Sequence, residues 1–400
     1  MKILFVLPSY EPAWNFGGVV SCMSVLCRAL VAEGEDVTVY TTNASGVDTP
    51  LSVPTNKVVD VGGVKVWYFK PSLGSKSNYS SKALIRKMAE NIRQYDFAYI
   101  SAVWQWLGVK AANICIMRNV PYLVGTHGSF AYALRQKSYL RKIIFKKLFL
   151  DRILKHSTAV HITTPNEKSA ATGWLDVCNC IVVPNAVDKN KFKLEGRRDG
   201  FRQRHNIPKD AHVIITAGRA DWKKRTDLLI KALAISKSWY LIIAGPTDKE
   251  NKTAEWRALA NQYKVSNRVV WTGFLSNADL LQAYSSADLF ALVSENENFG
   301  MVVVEAMLCG LPVLVSKEVD VWCFLDKDNV GICVEKKHEL IAAALNQFSV
   351  LEKRLKDSAQ IREVAVRKFS PDVIAQQFIR EIMSVIHCAN ASISNIIGER

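Results

Sequence analysis

Several features are missing from this sequence, and each absence excludes a class of protein. No apolar run approaches the ~20 residues of a membrane-spanning helix, and the apolar start MKILFVLP predicts a first strand, not a signal peptide. The nine cysteines form no CxxC pair, and the seven histidines show no metal-ligand spacing with them. Low-complexity tracts and short-period repeats are absent as well. We therefore expect reduced thiols, no zinc site and a cytoplasmic protein.

What is present indicates an α/β protein. Apolar, strand-like runs alternate with helical segments along both halves of the chain, including a helix from Gly18 to about Ala32. The runs are KILFVLP, DVTVYTT, FAYISAV, PYLVGT, AVHITT, HVIITAG, WYLIIAG, NRVVWTG, ADLFALVS and LPVLVS. Such βαβ patterning predicts doubly wound parallel sheets with Rossmann-like topology.

The length of 400 residues predicts two domains, because one core of ordinary size does not serve so long a chain. The segment IVVPNAVDKNKF, Ile181 to Phe192, has a turn-forming Pro184-Asn185 and then a polar run, which places the boundary there. We expect domains over residues 1–185 and 186–370, and a helix over 371–400 that crosses back to the first domain.

The net charge of +15 indicates an anionic partner, and the excess is concentrated between Arg135 and Lys155, where Asp151 is the sole acidic residue. Basic and apolar residues alternate there at helical spacings, which predicts a basic amphipathic helix. Two interpretations stay open: the helix binds an anionic membrane surface, or it belongs to the fold and has a solvated basic face. Nucleic-acid binding is disfavoured, because no motif for it accompanies the charge.

Two loops that follow predicted strands could bind phosphate. In PSYEPAWNFGG, Gly17 and Gly18 lie where a helix begins, so backbone N–H groups can approach an anion there, although a tight turn also explains the pair. The loop lacks GxGxxG, which disfavours a nicotinamide dinucleotide. In TAGRADWKKRT, Arg219 and Lys224 could converge on a diphosphate and replace a metal, although a solvated basic cluster has the same composition.

The segment SENENFGMVVVEAMLCGLPVLVS predicts a loop, a helix from Met301 to Cys309 capped by Gly310, and a strand. Glu297 and Glu305 are eight positions apart. On one unbroken helix their carboxylates would be roughly 12 Å apart, beyond the ~5–9.5 Å of paired glycosidase carboxylates. The two acids are therefore predicted to have separate roles.

Together these segments resemble the retaining glycosyltransferases of family 4, whose GT-B architecture has two Rossmann-like domains facing across a cleft. The resemblance covers nearly the whole chain, and the order and separation of its motifs make it specific. The motifs are Gly17-Gly18, Thr126-His127-Gly128, VVPNAVD over 182–188, Gly218-Arg219 with Lys224, VVWTGF over 269–274, and the E-x7-E segment from Glu297 to Glu305.

The resemblance implies a role for each matching residue. Glu305 would accept hydrogen bonds from the ribose of a nucleotide, and Glu297 would hold hydroxyls of the donor sugar. Arg219 and Lys224 would bind the diphosphate, while His127 would orient the sugar and stabilise a cation-like transition state without acting as a nucleophile. The implied donor-binding residues are Gly17, Gly18, Arg219, Lys224, Thr272, Gly273, Phe274, Glu297, Asn298, Phe299, Gly300 and Glu305.

The implied reaction is metal-independent transfer from a UDP- or GDP-sugar, with retention and without a cofactor. With the basic helix, the preferred hypothesis is a lipid-linked saccharide acceptor in capsule, exopolysaccharide or O-antigen synthesis, with the enzyme peripheral on the inner face of the cell membrane. Two alternatives are a sugar-nucleotide epimerase with the same architecture and a non-catalytic basic protein that binds membrane surfaces.

The sequence departs from the family pattern near the donor site. Arg225 stands where a glycine is usual after the phosphate lysine, and Asn298 stands where a glycine commonly follows the first glutamate. The triplet at 326–328 imitates a metal-binding DxD but is predicted to form a turn, so no metal is assigned. Trp104 and Trp106 could stack on sugars or could belong to the core.

Overall fold

The computed structural model describes residues 1–46, 50–72, 80–101, 103–131, 138–176, 179–194, 199–246 and 252–398. The chain forms two compact units. One consists of Met1–Ala186 with Pro371–Arg400, and the other of Val187–Ser370.

The first unit is built on an eight-stranded sheet with the order β3-β4-β2-β1-β5-β6-β7-β8. Every pairing in it is parallel except the β3–β4 pairing. The strands are β1 Lys2–Val6, β2 Asp36–Thr42, β3 Val58–Val61, β4 Val64–Phe69, β5 Phe97–Ile100, β6 Tyr122–Gly125, β7 Ala159–Ile162 and β8 Cys180–Val182.

Two strand features of this unit were not predicted. β3 and β4 form an antiparallel hairpin at the sheet edge. Its turn is Gly62-Gly63, and both residues have positive φ, as a tight two-residue hairpin turn requires. β8 lies in the segment taken as a domain boundary, where three residues pair with β7.

Helices cover the first sheet. They are Gly18–Ala32, Lys82–Asn91, Trp106–Arg118, Tyr139–Phe145, Asp151–His156, Pro165–Ala170 and Pro371–Gly398. The predicted helix from Gly18 is present with the expected bounds. The C-terminal helix packs against it, and Phe378 is buried between Phe5 and Tyr99. Residues from the end of the chain therefore complete the core of the first unit.

The second unit contains a six-stranded, wholly parallel sheet with the order β11-β10-β9-β12-β13-β14. Its strands are β9 His212–Ala217, β10 Trp239–Ala244, β11 Val269–Gly273, β12 Leu289–Leu292, β13 Val313–Ser316 and β14 Gly331–Val334. Its helices are Asp199–Arg204, Thr226–Ile235, Lys252–Gln262, Asn277–Ser286, Met301–Leu308, His338–Asn346, Phe348–Leu351 and Ser358–Phe369. Apolar clusters lie on both faces of this sheet, as its unbroken Val/Ile/Leu strands predict.

The predicted basic helix is present from Tyr139, while Arg135 lies outside the described residues. It is not one regular α-helix, because a π-helical segment, Lys146–Leu150, separates Tyr139–Phe145 from Asp151–His156. Leu150, Ile153 and Leu154 are buried in the core of the unit. Within the described residues, no helix combines the length and apolarity needed to cross a bilayer.

Candidate active site

The carboxyl edge of the second sheet carries most of the predicted donor-binding residues. Strand order reverses at β9, which lies between β10 and β12, and such switch points open a crevice for ligands. β9 leads into Gly218 and β10 into Gly245. A Cβ on Gly245 would lie 1.8 Å from the carbonyl oxygen of Gly218, so only glycine allows these two backbones to meet.

Arg219 and Lys224 lie on the loop that leaves β9 at this edge. The loop is held by Asp221, whose side chain accepts a hydrogen bond from the backbone N–H of Lys223 at 2.9 Å. Arg219 is exposed and has no acidic partner among the described residues. Lys224 folds back over Gly218, where a Cβ would lie 3.3 Å from its Cε. One short loop therefore places two cations at the end of β9.

Glu297 lies on the loop that leaves β12, on the other side of the switch point. Its Oε2 accepts a hydrogen bond from Lys224 Nζ at 2.5 Å, and both side chains are partly exposed. The contact joins the two predicted motifs across 73 positions of sequence. Glu297 precedes the helix Met301–Leu308 instead of lying on it, so the eight-residue spacing does not correspond to a continuous helix.

Glu305 lies within that helix, and its carboxyl group is surrounded by protein although part of the residue reaches solvent. Burial raises the pKa of Glu305 to about 7, and the cations of Lys191 and Lys224 offset part of that rise. Burial raises the pKa of Tyr284 well above its usual range, and the nearby Glu305 carboxylate raises it further. The Tyr284 hydroxyl has no hydrogen-bond partner within the described residues, which leaves an unsatisfied buried group beside Glu305.

The turn between the two glutamates has a fixed shape. Gly300 has a φ of 88°, and Phe299 is buried against Phe369 with ring centroids 5.7 Å apart. Within the described chain, the backbone N–H groups of Phe299 and Gly300 donate no hydrogen bond. The described chain therefore leaves both groups unoccupied. Asn298 lies between Glu297 and Phe299 and adds its amide side chain at the same turn.

Arg225, the departure from the family pattern, has a structural role. It adopts the left-handed conformation that a glycine would favour, with a φ of 48°. Its guanidinium donates to Asp227 and to Glu295, each at 3.0 Å. Lys336 also pairs with Glu295, and its hydrogen bond is the main cause that lowers the pKa of Glu295. This charged cluster links the Lys224 loop to the Glu297 loop.

Thr272 and Gly273 end β11 at the same edge of the sheet, and Phe274 follows them. The Gly245 N–H donates to the Gly273 carbonyl at 2.8 Å, which ties this turn to the end of β10. Thr272 donates to the Ile243 carbonyl, and the ring of Phe274 is 79% exposed. An aromatic face is therefore available at this turn.

In the first unit, Gly17 and Gly18 follow β1 as predicted. Gly17 has a φ of 77°, and nothing lies within 4 Å of where its Cβ would be. Gly18 is the first residue of its helix, so its N–H has no intrahelical partner. The loop before it is anchored by a salt bridge between Glu11 and Arg28, and Tyr10 is fully buried. The open space in front of Gly17 is therefore part of a rigid turn.

His127 follows β6 at the same carboxyl edge of the first sheet. It has a φ of 43°, unusual for a residue with a side chain. Its Nε2 is 3.1 Å from the hydroxyl oxygen of Tyr99, which also lies 2.8 Å from Nδ1 of His161. Burial, with a contribution from His161, lowers the pKa of His127 to about 3, so the imidazole is neutral at physiological pH. A neutral ring can lie beside a cation-like transition state without the repulsion that an imidazolium would add.

Two further expectations concerned residues outside these loops. Trp104 is half-buried and packs against the core of the first unit, and its Nε1 donates to the Ser129 carbonyl at 3.0 Å, which favours the core interpretation for it. The triplet at 326–328 forms a turn, as predicted, and Asp328 pairs with Lys368 at 2.8 Å. Within the described residues, no three His, Cys, Asp or Glu side chains are grouped to hold a metal.

Several residues of the site escaped the sequence analysis. Lys191 and Tyr284 surround Glu305, and Glu295 with Lys336 fixes Arg225. Their partners are distant in sequence and no local pattern marks them. One signal was available: an arginine, Arg225, stands where a glycine is usual, and an acidic partner could hold its side chain.

Comparison with known families agrees with this geometry. Residues 16–191 match the family model described as Glycosyltransferase Family 4. Residues 197–365 match the one described as Glycosyl transferases group 1. The chain belongs to the family 4 glycosyltransferases. The predicted resemblance is confirmed, and this glycosyltransferase carries Arg219, Lys224, Glu297 and Glu305 within the second of the two matched regions.

Individual relatives of this glycosyltransferase support the same fold. An uncharacterised glycosyltransferase of Methanocaldococcus jannaschii is 25% identical over 366 residues, which is 84% of this chain and 86% of the relative. Sucrose-phosphate synthase of Thermosynechococcus elongatus superposes with a TM-score of 0.73 at 19% identity, covering 97% of this chain and 100% of that one. HepE of Anabaena, solved with UDP-glucose, has a TM-score of 0.72 at 20% identity, covering 96% and 100%. The predicted fold class, α/β with two Rossmann-like domains of the GT-B type, is confirmed.

Proposed function

We propose that this glycosyltransferase is a retaining, metal-independent enzyme that moves a sugar from a UDP- or GDP-sugar to a saccharide acceptor. The observation that carries the proposal is the 2.5 Å contact between Lys224 and Glu297, with the exposed cation of Arg219 on the same loop as Lys224. It places a carboxylate suited to sugar hydroxyls next to cations suited to a diphosphate. The complex of HepE with UDP-glucose adds support for a nucleotide-sugar donor.

The proposed chemistry uses the leaving group as the base. The bond between the anomeric carbon and the diphosphate oxygen breaks while the acceptor hydroxyl approaches the same face of the sugar. The departing phosphate takes the acceptor proton, and the negative charge that develops on it is stabilised by Arg219 and Lys224. Glu305 binds the ribose through its carboxylate, while Glu297 orients hydroxyls of the sugar.

A thermal unfolding experiment tests the donor site. UDP, GDP and ADP are each added with and without magnesium, and a nucleotide at ~100 times its dissociation constant should stabilise the protein by about 2.7 kcal/mol. We expect one nucleotide to raise Tm without metal and the Arg219→Ala variant to lose the effect. The control is Lys237→Ala, which removes another exposed cation, just before β10 at the amino edge of the same sheet. Stabilisation only by magnesium complexes would overturn the metal-independent mechanism.

We also propose that the acceptor is lipid-linked and that the enzyme binds an anionic membrane surface in polysaccharide biosynthesis. The support is the helical segment from Tyr139 to His156. Leu140, Ile144 and Leu148 are 75%, 58% and 65% exposed and recur every four residues, which places them on one face. The exposed cations of this segment are Arg141, Lys147, Arg152 and Lys155. Exposed apolar groups among cations match an interfacial helix.

The structure also changes which cations should be tested. Lys142 lies over the ring of Trp104, with Nζ 5.4 Å from the ring centroid. Lys146 pairs with Asp151 at 2.6 Å and lies 5.8 Å from the centroid of Trp174. Both are occupied by the fold, so the charges chosen for the test are three of the exposed ones, Arg141, Lys147 and Arg152.

Vesicle flotation tests this surface. Changing Arg141, Lys147 and Arg152 together to glutamine should weaken binding to phosphatidylglycerol vesicles about a hundredfold at low salt, since each basic residue contributes about 1 kcal/mol. Changing Leu140, Ile144 and Leu148 to glutamine should weaken binding at low and high salt alike. In the control variant, Val58, Met117 and Met383, which are comparably exposed elsewhere in the unit, are changed to glutamine. This variant should bind like the wild type. Two results together would contradict the proposal: wild-type binding that does not depend on salt concentration, and equally strong binding by the variant with the three charge changes.

A further inference from the structure

The environment of His127 fixes where its protons lie. Nε2 of His161 is 2.8 Å from the carbonyl oxygen of Val183. A carbonyl can only accept, so this nitrogen carries a hydrogen. Burial lowers the pKa of His161, which leaves the ring neutral and its Nδ1 unprotonated. Nδ1 must therefore accept the hydrogen bond that joins it to Tyr99 at 2.8 Å.

The same reasoning passes through Tyr99 to His127. Tyr99 has one hydroxyl hydrogen, and His161 takes it. Burial raises the pKa of Tyr99 well above its usual range, so the hydroxyl is not ionised. Towards His127, the Tyr99 oxygen can only accept, and Nε2 of His127 is the donor at 3.1 Å. The remaining nitrogen of His127, Nδ1, is left without a hydrogen.

The fold makes specific room for this chain of hydrogen bonds. A Cβ on Gly125 would lie 2.0 Å from the Tyr99 hydroxyl oxygen. Gly125 ends β6 with an ordinary strand conformation, so its lack of a side chain is needed for Tyr99 and not for the backbone. Nδ1 of His127 has no partner in the part of the chain that the structure describes.

A buried carboxylate holds the His127 loop in its strained conformation. Oε1 of Glu167 accepts from the Thr126 hydroxyl at 2.5 Å and from the Gly128 N–H at 2.6 Å, on either side of His127. Its Oε2 accepts from the N–H and hydroxyl of Thr163 at 2.8 and 2.9 Å. Glu167 is 2% exposed and has both oxygens satisfied. It ties the loop after β6 to the loop after β7.

We infer that Tyr99, His161 and Glu167 are positioning residues that hold His127 as the tautomer with hydrogen on Nε2 and present its bare Nδ1 to substrate. This step rests on the proposed function. The group that donates a hydrogen bond to Nδ1 is then a hydroxyl of the transferred sugar or of the acceptor, because an imidazole nitrogen without a hydrogen can only accept. Phosphate oxygens, which are also acceptors, are disfavoured there. His127 thus acts as a neutral hydrogen-bond acceptor, which suits an orienting role and adds no positive charge beside a cation-like transition state.

NMR of the protein labelled with 15N-histidine tests the inference without substrate, and loss of a signal in His127→Asn assigns the ring. In the wild type we expect an Nε2–H tautomer that does not change between about pH 5.5 and 8.5. In Tyr99→Phe the ring should become a mixture of tautomers. The matched control is Tyr122→Phe, which removes another buried hydroxyl of the sheet, one that donates to Ile153 at 2.6 Å. It should leave the His127 signal unchanged.

Kinetics supply the second readout. Tyr99→Phe should lower kcat about tenfold, the effect of one misplaced hydrogen bond, while Tyr122→Phe should not. Gly125→Ala, which displaces the Tyr99 hydroxyl, should reproduce the NMR change of Tyr99→Phe. An Nδ1–H tautomer in the wild type, or equal effects of the two phenylalanine variants, would overturn the inference. Absence of sugar transfer by the wild type would reject the proposed function instead, because the tautomer is measured independently of it.

Discussion

Changing Lys224 to alanine is expected to lower kcat/KM for sugar transfer about 100- to 1000-fold. In the proposed mechanism its ammonium stabilises the charge on the departing phosphate, and loss of one preorganised group of that kind has an effect of this size. Steady-state kinetics with the donor selected by thermal unfolding measure it. The control is Lys223→Ala, one position earlier, whose ammonium lies 6.0 Å from the centroid of the Trp222 ring and makes no ion pair among the described residues. That variant should keep near wild-type activity.

A double-mutant cycle separates two explanations of that loss. Removing Lys224 also leaves the Glu297 carboxylate without its 2.5 Å partner, and an unpaired negative charge would repel the donor diphosphate. If repulsion were the whole effect, the Lys224→Ala, Glu297→Gln double variant would regain donor affinity and most of its rate. We expect affinity to recover in part and kcat to stay low. Full recovery of kcat would show that Lys224 does not act on the leaving group.

Nucleotide affinity is expected to fall about tenfold between pH 8 and pH 6. Ribose hydroxyls donate to the carboxylate form of Glu305, and at a pKa of about 7 that form makes up ~90% of the protein at pH 8 and ~10% at pH 6. The pKa is raised, so the charged form is lost on lowering the pH through about 7 instead of through the ordinary carboxyl range. Isothermal titration calorimetry across this range measures the change.

Glu305→Gln is the matched variant for that experiment. It keeps the size of the side chain and removes its titration, so any pH dependence that remains comes from the phosphates of the nucleotide. We expect weaker nucleotide binding at pH 8 and a flatter pH profile of affinity than in the wild type.

The stability of the free protein gives a second check. Glu305 keeps its proton in the folded state up to about pH 7, whereas the unfolded chain releases it near pH 4.5, so this residue makes the wild type less stable as pH rises between those values. Glu305→Gln should lack that contribution to the pH dependence of stability. If its nucleotide affinity has the same pH profile as that of the wild type, Glu305 does not bind the ribose.

Local pattern was sufficient for many elements of the fold. Strands β1, β2, β5 to β7 and β9 to β13 were predicted because buried parallel strands are short apolar runs bounded by turn residues. The hairpin of β3 and β4 was missed although Gly62-Gly63 marks it, because an antiparallel edge was not expected beside a βαβ pattern. The basic helix was predicted, but its π-helical segment was not, since that irregularity follows from packing against the core.

The sequence by itself determined the α/β class, the family, and the candidate chemistry of Arg219, Lys224, Glu297, Glu305 and His127, because these depend on residue type and local spacing. Only the tertiary structure decided which charges are paired and which protons are fixed. Lys224 meets Glu297 across 73 positions, and Tyr99 meets His161 across 62. Contacts over such separations arise when parallel strands bring their carboxyl ends to one edge of a sheet. Burial, each in its own unit, then shifts the pKa of Glu305 and of His127, which residue type alone would place in their ordinary ranges.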